Sequence, residues 1–145
     1  MSKHFQIVII GGGTGGIMTA AQLLRKDNNL TVAIIEPSEK HIYQPAWTLV
    51  GANTFDYNKT IRNESSVIPS GAEWIKEFAD KFEPEQNKVI TKNGAEITYD
   101  YLVVAPGIQI DLDGIEGLKE TMGKNGVCSN YVDPNYTWKC LKDFK

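Results

Sequence analysis

The first 36 residues contain a pattern that few folds can accommodate. An apolar run at 7–10 leads into the glycine-rich stretch 11–16, and a second apolar run at 32–35 ends at Glu36. Between the runs, apolar residues recur at the i, i+3, i+4 and i+7 spacing of a helix that extends from Thr14 to about Lys26. These residues are Ile17, Ala20, Ala21 and Leu24. The order predicts a β-strand, a glycine turn, an α-helix and a second β-strand.

The glycines of this turn match G-x-G-x-x-G through Gly11, Gly13 and Gly16. Gly11 permits the tight turn, Gly13 lets the backbone approach a pyrophosphate, and Gly16 lets the helix lie close to the sheet. The N–H groups of Thr14 and Gly15, at the positive end of the helix, would hold the phosphates. Because the pattern follows a strand and opens a helix, it predicts a dinucleotide site. The alternative is a glycine-rich turn in an ordinary βαβ unit.

Glu36 is the candidate residue for binding the ribose. It stands twenty residues after Gly16, at the end of the second strand. A carboxylate at this point can accept hydrogen bonds from both hydroxyls of an adenosine ribose. An acidic residue here also disfavours a 2′-phosphate, so NADP is not expected.

The segment 72–82 has conflicting signals. Its apolar residues suit one face of a helix, whereas the preceding proline and glycine and the β-rich region that follows suit a strand. Periodicity alone slightly favours a helix. The apolar residues are Trp74, Ile75, Phe78, Ala79 and Phe82.

A hairpin and a further buried strand are predicted after this segment. Asn93-Gly94 separates the apolar stretches 88–91 and 95–99, which indicates a hairpin closed by a type I′ turn. The run 101–105 is apolar throughout and stops at Pro106-Gly107, which suggests a return to the main parallel sheet. At the carboxyl end of that strand, Gly107 would let the backbone approach a ligand. An ordinary strand-ending turn is the alternative.

Two other segments are not expected in a simple nucleotide-binding unit. The stretch 41–51 is aromatic and apolar without clean periodicity, so we interpret it as lying against a flat, partly apolar ligand. The stretch 136–144 begins a helical pattern that the end of the chain interrupts. We therefore expect the sequence to be part of a longer protein.

Composition narrows the possible partners and location. A chain of 145 residues is about one domain. Its net charge of −3 provides no basic surface, which argues against nucleic acid as a partner. No apolar run approaches the roughly 18 residues that a membrane span needs, and the first strand begins too early for a signal peptide. A cytoplasmic chain is expected.

The cysteines and histidines do not suggest a catalytic or metal site. Cys128 and Cys140 match neither a zinc pattern nor a C-x-x-C redox pair, and they are expected to be inert thiols. His4 and His41 are isolated in the sequence. We propose no metal site.

Several longer strings resemble a known family. The strand–turn–helix–strand start, the hairpin and the 101–107 strand look like the first flavin-binding part of flavoproteins with two dinucleotide-binding domains. More specific strings closely resemble those of sulfide:quinone oxidoreductases, and the similarity covers nearly all 145 residues. These strings are 36–41, 43–45, 47–51, 66–71 and 73–76.

The resemblance implies an α/β fold: a Rossmann-like βαβ FAD-binding domain with a parallel sheet and a small antiparallel β-meander. It implies FAD as the cofactor, with Thr14 and Gly15 at the pyrophosphate and Glu36 at the adenosine ribose. Gln44 would meet the cofactor near the turn at 43–45, and the backbone of Ala79 would meet the adenine. It also implies a strand rather than a helix at 72–82.

The resemblance further implies a domain division and an activity. Residues 1–118 would be the first part of a split FAD-binding domain, and 119–145 a connection and the first helix of a second domain. Enzymes of this family oxidise sulfide at a cysteine pair beside the flavin and pass the electrons to a membrane quinone. Neither Cys128 nor Cys140 has the surroundings of those cysteines, so no catalytic residue is assigned.

The expected whole protein is a peripheral membrane enzyme that acts on sulfide and quinone. The 145-residue chain by itself is expected to be inactive and to self-associate through uncovered apolar surface. Two alternatives remain open. One is the FAD-binding part of another quinone-linked flavoprotein, such as a type II NADH dehydrogenase, and the other is a non-catalytic module that binds NAD or adenosine.

Overall fold

A computed structural model describes residues 3–144. Its main sheet has six strands in the order β5-β2-β1-β8-β7-β6, and β3 and β4 form a separate two-stranded sheet. Short 3-10 turns occupy 44–46, 57–60, 64–66 and 84–86. The strands are β1 (Lys3–Ile10), β2 (Val32–Ile35), β3 (Lys40–Ile42), β4 (Ile61–Asn63), β5 (Ala72–Ile75), β6 (Ala79–Glu83), β7 (Lys88–Thr91) and β8 (Glu96–Val104). The helices are α1 (Thr14–Lys26), α2 (Trp47–Gly51), α3 (Leu118–Thr121) and α4 (Pro134–Asp143).

The chain divides into two compact units. The first comprises the residues up to 41 together with 63–107, and it contains the six-stranded sheet and α1. The second comprises 42–62 and the residues from 108 onward, including α2, α3 and α4. The predicted domain boundary after residue 118 concerns the organisation of a longer protein, and it stays a prediction.

The predicted βαβ unit is confirmed and forms the centre of the sheet. β1 pairs in parallel with β2 on one side and with β8 on the other, so that Ile9 lies opposite Ile34 and Val103. α1 connects β1 to β2 and buries Ala20 and Leu24. The predicted return of the 101–105 run to the parallel sheet is therefore also confirmed.

Both faces of the sheet are packed, which explains the nearly continuous apolar runs of the central strands. On the α1 face lies one cluster, and on the opposite face lies a second cluster that includes residues of the hairpin. The α1-face cluster consists of Ile7, Ile9, Ala20, Leu24, Val32 and Ile34. The second cluster consists of Phe5, Val8, Ile10, Ala33, Ile35, Val89, Ile97 and Tyr99.

The helix that periodicity favoured for 72–82 is wrong; the family resemblance implied a single strand, and the structure has two. The segment contains two strands, β5 and β6, joined by a short turn. β5 pairs in parallel with β2, whereas β6 pairs antiparallel with β7. The apolar spacing imitates a helix because it runs through two strands and the turn between them. Backbone pairing with distant strands overrides the local periodicity.

The predicted hairpin is confirmed, but the type I′ turn is wrong. Only Gly94 adopts a positive φ, of 85°, whereas Asn93 does not. The loop has three residues: the Thr91 N–H donates to the Ala95 carbonyl at 3.0 Å, and the Gly94 N–H donates to the Thr91 carbonyl at 2.8 Å. The Thr91 hydroxyl also donates to the Asn93 side-chain oxygen at 2.6 Å. A type I turn followed by a glycine bulge therefore closes the hairpin.

The carboxyl half of β8 is paired on one side only. β7 pairs with residues 96–98 of β8, and from 101 to 104 β1 is its only partner among the described strands. Tyr101 is 72% exposed and Val104 is 59% exposed. This part of the sheet thus presents a free backbone edge and uncovered apolar side chains.

Trp47 packs within the second unit. Its ring lies 5.9 Å from the Tyr57 ring, centroid to centroid, and its indole N–H donates to the Thr60 hydroxyl at 3.1 Å. The side chain is buried. Within the 41–51 stretch, this ring is therefore a core residue and not a surface offered to a ligand, while Tyr43 and Leu49 remain exposed.

Between residues 3 and 144, no helix has the length and apolar character needed to cross a membrane.

Replacement of a central core residue should test this packing. Ile34 is fully buried against α1 and β1, so Ile34→Ala should lower the free energy of unfolding by about 2–5 kcal/mol. Ile115 is 64% exposed, so Ile115→Ala should change it by no more than about 0.5 kcal/mol. Urea unfolding of the two variants measures the difference. Equal effects would contradict the assignment of β2 to the core.

Candidate functional site

The glycine turn brings β1, α1 and the end of β8 into close contact. Gly11 has a φ of 100°, and a Cβ at this position would overlap the Ala105 carbonyl oxygen. A Cβ at Gly16 would overlap the Gly11 carbonyl oxygen. These two positions need glycine because backbone approaches backbone, as the motif predicts. The start of α1 is thereby pressed against the carboxyl ends of the parallel strands.

Gly13 differs from these neighbours because the space around it is open. It is exposed, its φ of −68° suits any residue, and an added Cβ would meet no atom of residues 3–144 within 4 Å. Thr14 and Gly15 are exposed as well. In the described structure no side chain caps α1, so the N–H groups of its first turn are available to an anion. Neither strain nor packing within the described chain requires a glycine at position 13.

Glu36 lies at the mouth of this turn. One carboxylate oxygen accepts the Gly12 N–H at 2.8 Å, and the other accepts the Ser38 N–H at 2.7 Å. Its backbone is held by β5: the Glu36 N–H donates to the Ile75 carbonyl at 3.0 Å, and the Trp74 indole donates to the Glu36 carbonyl at 2.8 Å. These four hydrogen bonds fix the carboxylate beside Gly12, the residue before the open Gly13.

An apolar cavity of about 360 Å³ opens next to Glu36. It brings together three residues predicted from the sequence to bind the cofactor, Gly11, Glu36 and Ala79. The rings of Phe78 and Phe82 also line it and are partly exposed. The remaining lining residues are Ile10, Ile35, Pro37, Val104 and Pro106. A flat apolar ring attached to a polar, hydroxylated group suits such a lining.

The other predicted site residues lie at different places. Gly107 follows Pro106 at the edge of the cavity and has a φ of 77°, which favours glycine. Gln44 belongs to the second compact unit, where it begins a 3-10 turn. Its assignment to the cofactor rests on the family resemblance alone.

Three residues at the site were missed from the sequence: Gly12, His41 and Glu64. Glu64 is 1% exposed, and its Oε2 lies 3.5 Å from His41 Nδ1. The same nitrogen lies 3.1 Å from the Gly12 carbonyl oxygen. A Cβ at Gly12 would overlap Glu64 Oε1 and approach Glu36 Cγ. The run of three glycines at 11–13 was a signal for Gly12, but nothing in the sequence connects Glu64 with the turn.

The electrostatics of this buried cluster favour a neutral Glu64. Burial raises the pKa of the Glu64 carboxyl above its ordinary value of 4.5, and His41 opposes the rise. The Glu36 carboxylate adds to the rise because two like charges would lie close together. The carboxyl group therefore holds its proton to a higher pH than an exposed glutamate does.

These features fit the ADP half of a dinucleotide. Gly13 leaves room beside uncapped backbone N–H groups, where a diphosphate would accept hydrogen bonds. The Glu36 carboxylate is available at the point where a ribose would follow, next to a cavity suited to an adenine ring. The residues present are thus chemically suited to FAD, as they are to NAD.

Residues 5–139 match the family model described as pyridine nucleotide-disulphide oxidoreductase. The chain belongs to this family. Family membership explains the placement of the glycine turn and the acidic residue on a Rossmann-like sheet. It does not distinguish among the activities found within pyridine nucleotide-disulphide oxidoreductases.

Individual members of the family are similar over most of the chain. The mitochondrial sulfide:quinone oxidoreductase of Dictyostelium discoideum is 52% identical over 127 residues, which is 87% of this chain and 28% of the relative. The X-ray structure of the Aquifex aeolicus sulfide:quinone oxidoreductase matches 97% of this chain and 32% of that chain, with a TM-score of 0.75 and 31% identity. A type II NADH:quinone oxidoreductase of Staphylococcus haemolyticus is 28% identical over 119 residues, 79% of this chain and 29% of the relative. The chain thus spans less than a third of each of these proteins.

The raised pKa of Glu64 predicts how the free energy of unfolding depends on pH. Because the pKa is higher in the folded state, the contribution of Glu64 to stability is fully present below pH 4.5 and is lost as the pH rises through the raised value. Glutamine imitates the protonated carboxyl, so Glu64→Gln should remove this loss. In the range above pH 4.5, the wild type should therefore lose stability relative to the variant as the pH rises.

Urea unfolding of the wild type and Glu64→Gln across this range provides the measurement. Glu85→Gln is the matched control, because Glu85 is exposed in the turn before β7, and its pH profile should parallel that of the wild type. A Glu64→Gln profile that also parallels the wild type would show that Glu64 ionises as freely as a surface residue.

Proposed function

We propose that this chain is the N-terminal FAD-binding part of a sulfide:quinone oxidoreductase. The observation that carries the proposal is the open Gly13 at the uncapped start of α1, with the Glu36 carboxylate hydrogen-bonded to the N–H of the adjacent Gly12. The 52% identity with the Dictyostelium discoideum enzyme supports this activity over others in the family.

In this proposal each part of the site binds one part of the cofactor. Gly11, Gly13 and Gly16 shape the turn, and the N–H groups of Thr14 and Gly15 bind the pyrophosphate. Glu36 accepts hydrogen bonds from the adenosine ribose while it keeps those from Gly12 and Ser38, since a carboxylate has about four acceptor positions. Ala79 borders the adenine in the cavity. The residues assigned to the rest of the cofactor are Gln44 and Gly107.

The chemistry of the whole protein needs more than this chain. FAD, when bound, accepts the electrons released by sulfide oxidation and passes them to quinone. The residues of this chain bind and orient the ADP half of the cofactor. Because the chain spans only 28% of the Dictyostelium discoideum enzyme and 32% of the Aquifex aeolicus enzyme, we assign the redox cysteines and the quinone site to the remainder. The whole protein would lie at a membrane surface, with sulfide and quinone as its substrates.

The free edge of β8 supports the same proposal. From 101 to 104 its backbone lacks a second partner in the described chain, and the side chains of Tyr101 and Val104 are exposed. In a longer protein a further segment would cover this region. In the isolated chain the uncovered edge favours self-association.

The second candidate is the FAD-binding part of a type II NADH dehydrogenase. It is favoured by the relative from Staphylococcus haemolyticus, although at a lower identity of 28%. Such a protein would need a second G-x-G-x-x-G unit for NADH. A non-catalytic module that binds NAD or adenosine would use the same turn and carboxylate, but it would prefer NAD to FAD.

Cofactor binding tests the proposed site. The purified chain mixed with FAD should shift and sharpen the visible flavin spectrum, and NAD should not displace the FAD. Gly13→Ala should weaken FAD binding by about tenfold or more, because the methyl group occupies the space of the pyrophosphate. Its thermal unfolding should match the wild type, since the φ of −68° suits alanine. Tight NAD binding with no affinity for FAD would overturn the assignment.

An activity assay tests whether catalysis needs residues outside this chain. The chain supplied with FAD, sulfide and a soluble quinone should show no turnover, because it contributes only cofactor-binding residues. The complete Aquifex aeolicus enzyme under the same conditions is the positive control. Quinone reduction by the 145-residue chain would contradict this part of the proposal.

A further inference from the structure

Glu64 is a buried carboxyl group that the proposed cofactor contacts do not use. Its side chain is 1% exposed, and Oε1 has no hydrogen-bond partner within the described residues. The same oxygen faces the Cα of Gly12, where a Cβ would overlap it. An ionisable group without a full set of partners is costly to bury, so its position behind the glycine turn calls for a physical reason.

His41 connects Glu64 to the turn. His41 Nδ1 lies 3.1 Å from the Gly12 carbonyl oxygen and 3.5 Å from Glu64 Oε2. A carbonyl oxygen only accepts hydrogen bonds, so Nδ1 carries a hydrogen. On its other side, the Gly12 N–H donates to the Glu36 carboxylate at 2.8 Å. Gly12 is therefore held through its carbonyl by His41 and through its N–H by Glu36.

This arrangement orients the next peptide group. The Gly12 carbonyl and the Gly13 N–H belong to one planar trans peptide, so they point in opposite directions. Because His41 holds the carbonyl, the Gly13 N–H must point away from the His41–Glu64 pair. Gly13 is exposed and borders open space. The pair thus presets a backbone donor toward the side from which a phosphate would approach.

The net charge of the His41–Glu64 pair also affects a phosphate bound at this turn. The charged groups facing Glu64 are the His41 imidazole from β3 and the Glu36 carboxylate after β2. Glu39, whose carbonyl accepts the Glu64 N–H at 2.8 Å, directs its own carboxylate toward Lys76 Nζ at 3.0 Å. With its shared proton, the His41–Glu64 pair has no net charge. Without that proton, it places one negative charge behind the turn, beside Glu36.

We propose that His41 and Glu64 are positioning residues of the dinucleotide site, which orient the Gly12–Gly13 peptide and favour binding of a diphosphate only while the pair holds its proton. This inference rests on the proposed binding of an ADP-containing cofactor. Release of the proton puts a negative charge close to the bound diphosphate and weakens its binding. Diphosphate affinity therefore falls as the pH rises through the titration of the pair.

ADP-ribose is the probe for the test, because its pyrophosphate diester keeps the same charge across the range used. Calorimetric titration of the wild-type chain should give an affinity about tenfold lower at about pH 8.5 than at about pH 5.5. Glu64→Gln, which imitates the protonated carboxyl, should bind at both pH values as the wild type does at the lower one. Glu85→Gln should keep the wild-type dependence, since its exposed carboxylate lies outside the site. Adenosine, which lacks phosphate, should bind equally at both pH values.

A second measurement needs no variant. The pKa of Glu64, followed by NMR through its side-chain carboxyl carbon, should rise when the wild-type chain is saturated with ADP-ribose. Such a rise follows from linkage, because a ligand that prefers the protonated pair must stabilise it. An unchanged titration in the saturated protein would overturn the inference even if Glu64→Gln fails to fold.

The outcomes separate this inference from the proposed function. ADP-ribose binding that is independent of pH, or that depends on pH equally in the wild type and Glu64→Gln, overturns the role of the pair and leaves the cofactor site standing. No binding of ADP-ribose or FAD at either pH overturns the proposed function and this inference together.

Discussion

The hydrogen bond between the Gly12 N–H and the Glu36 carboxylate holds the candidate site together. It joins the turn after β1 to the end of β2, residues that are 24 positions apart in the sequence. The bond is possible only because β1 and β2 are parallel neighbours, so that their carboxyl ends meet at one edge of the sheet. The uncapped start of α1, the open Gly13 and the apolar cavity are all arranged around this contact.

The glycines of the turn are needed for different physical reasons. Gly11 and Gly16 allow close packing of backbone against backbone, and Gly11 also adopts a positive φ. Gly12 allows two carboxyl-bearing side chains to approach it. Gly13 leaves space that nothing in the described chain fills. A single sequence motif thus contains glycines that the fold requires and a glycine that ligand binding requires. Only the surroundings of each glycine in the structure show which role it has.

Placing Glu64 beneath this turn brings a second carboxyl group to a site suited to an anion. Two carboxyl groups near a phosphate would oppose binding if both were ionised. Burial and the neighbouring Glu36 favour the protonated form of Glu64, which limits that repulsion. His41 lies 3.5 Å from the Glu64 carboxyl and opposes the rise in its pKa. Burying Glu64 costs free energy, and the His41 side chain that contacts the buried Glu64 also orients the glycine turn.

The sequence by itself determined the βαβ unit, the glycine turn, the carboxylate at its mouth and the existence of the hairpin. These features are encoded in short apolar runs and turn residues, whose spacing reflects local backbone geometry. Only the tertiary structure decided that 72–82 forms two strands, that the Asn93-Gly94 loop has three residues, and that His41 and Glu64 lie behind Gly12. Each of these depends on pairing or burial between residues distant in the chain, and no local spacing records such contacts.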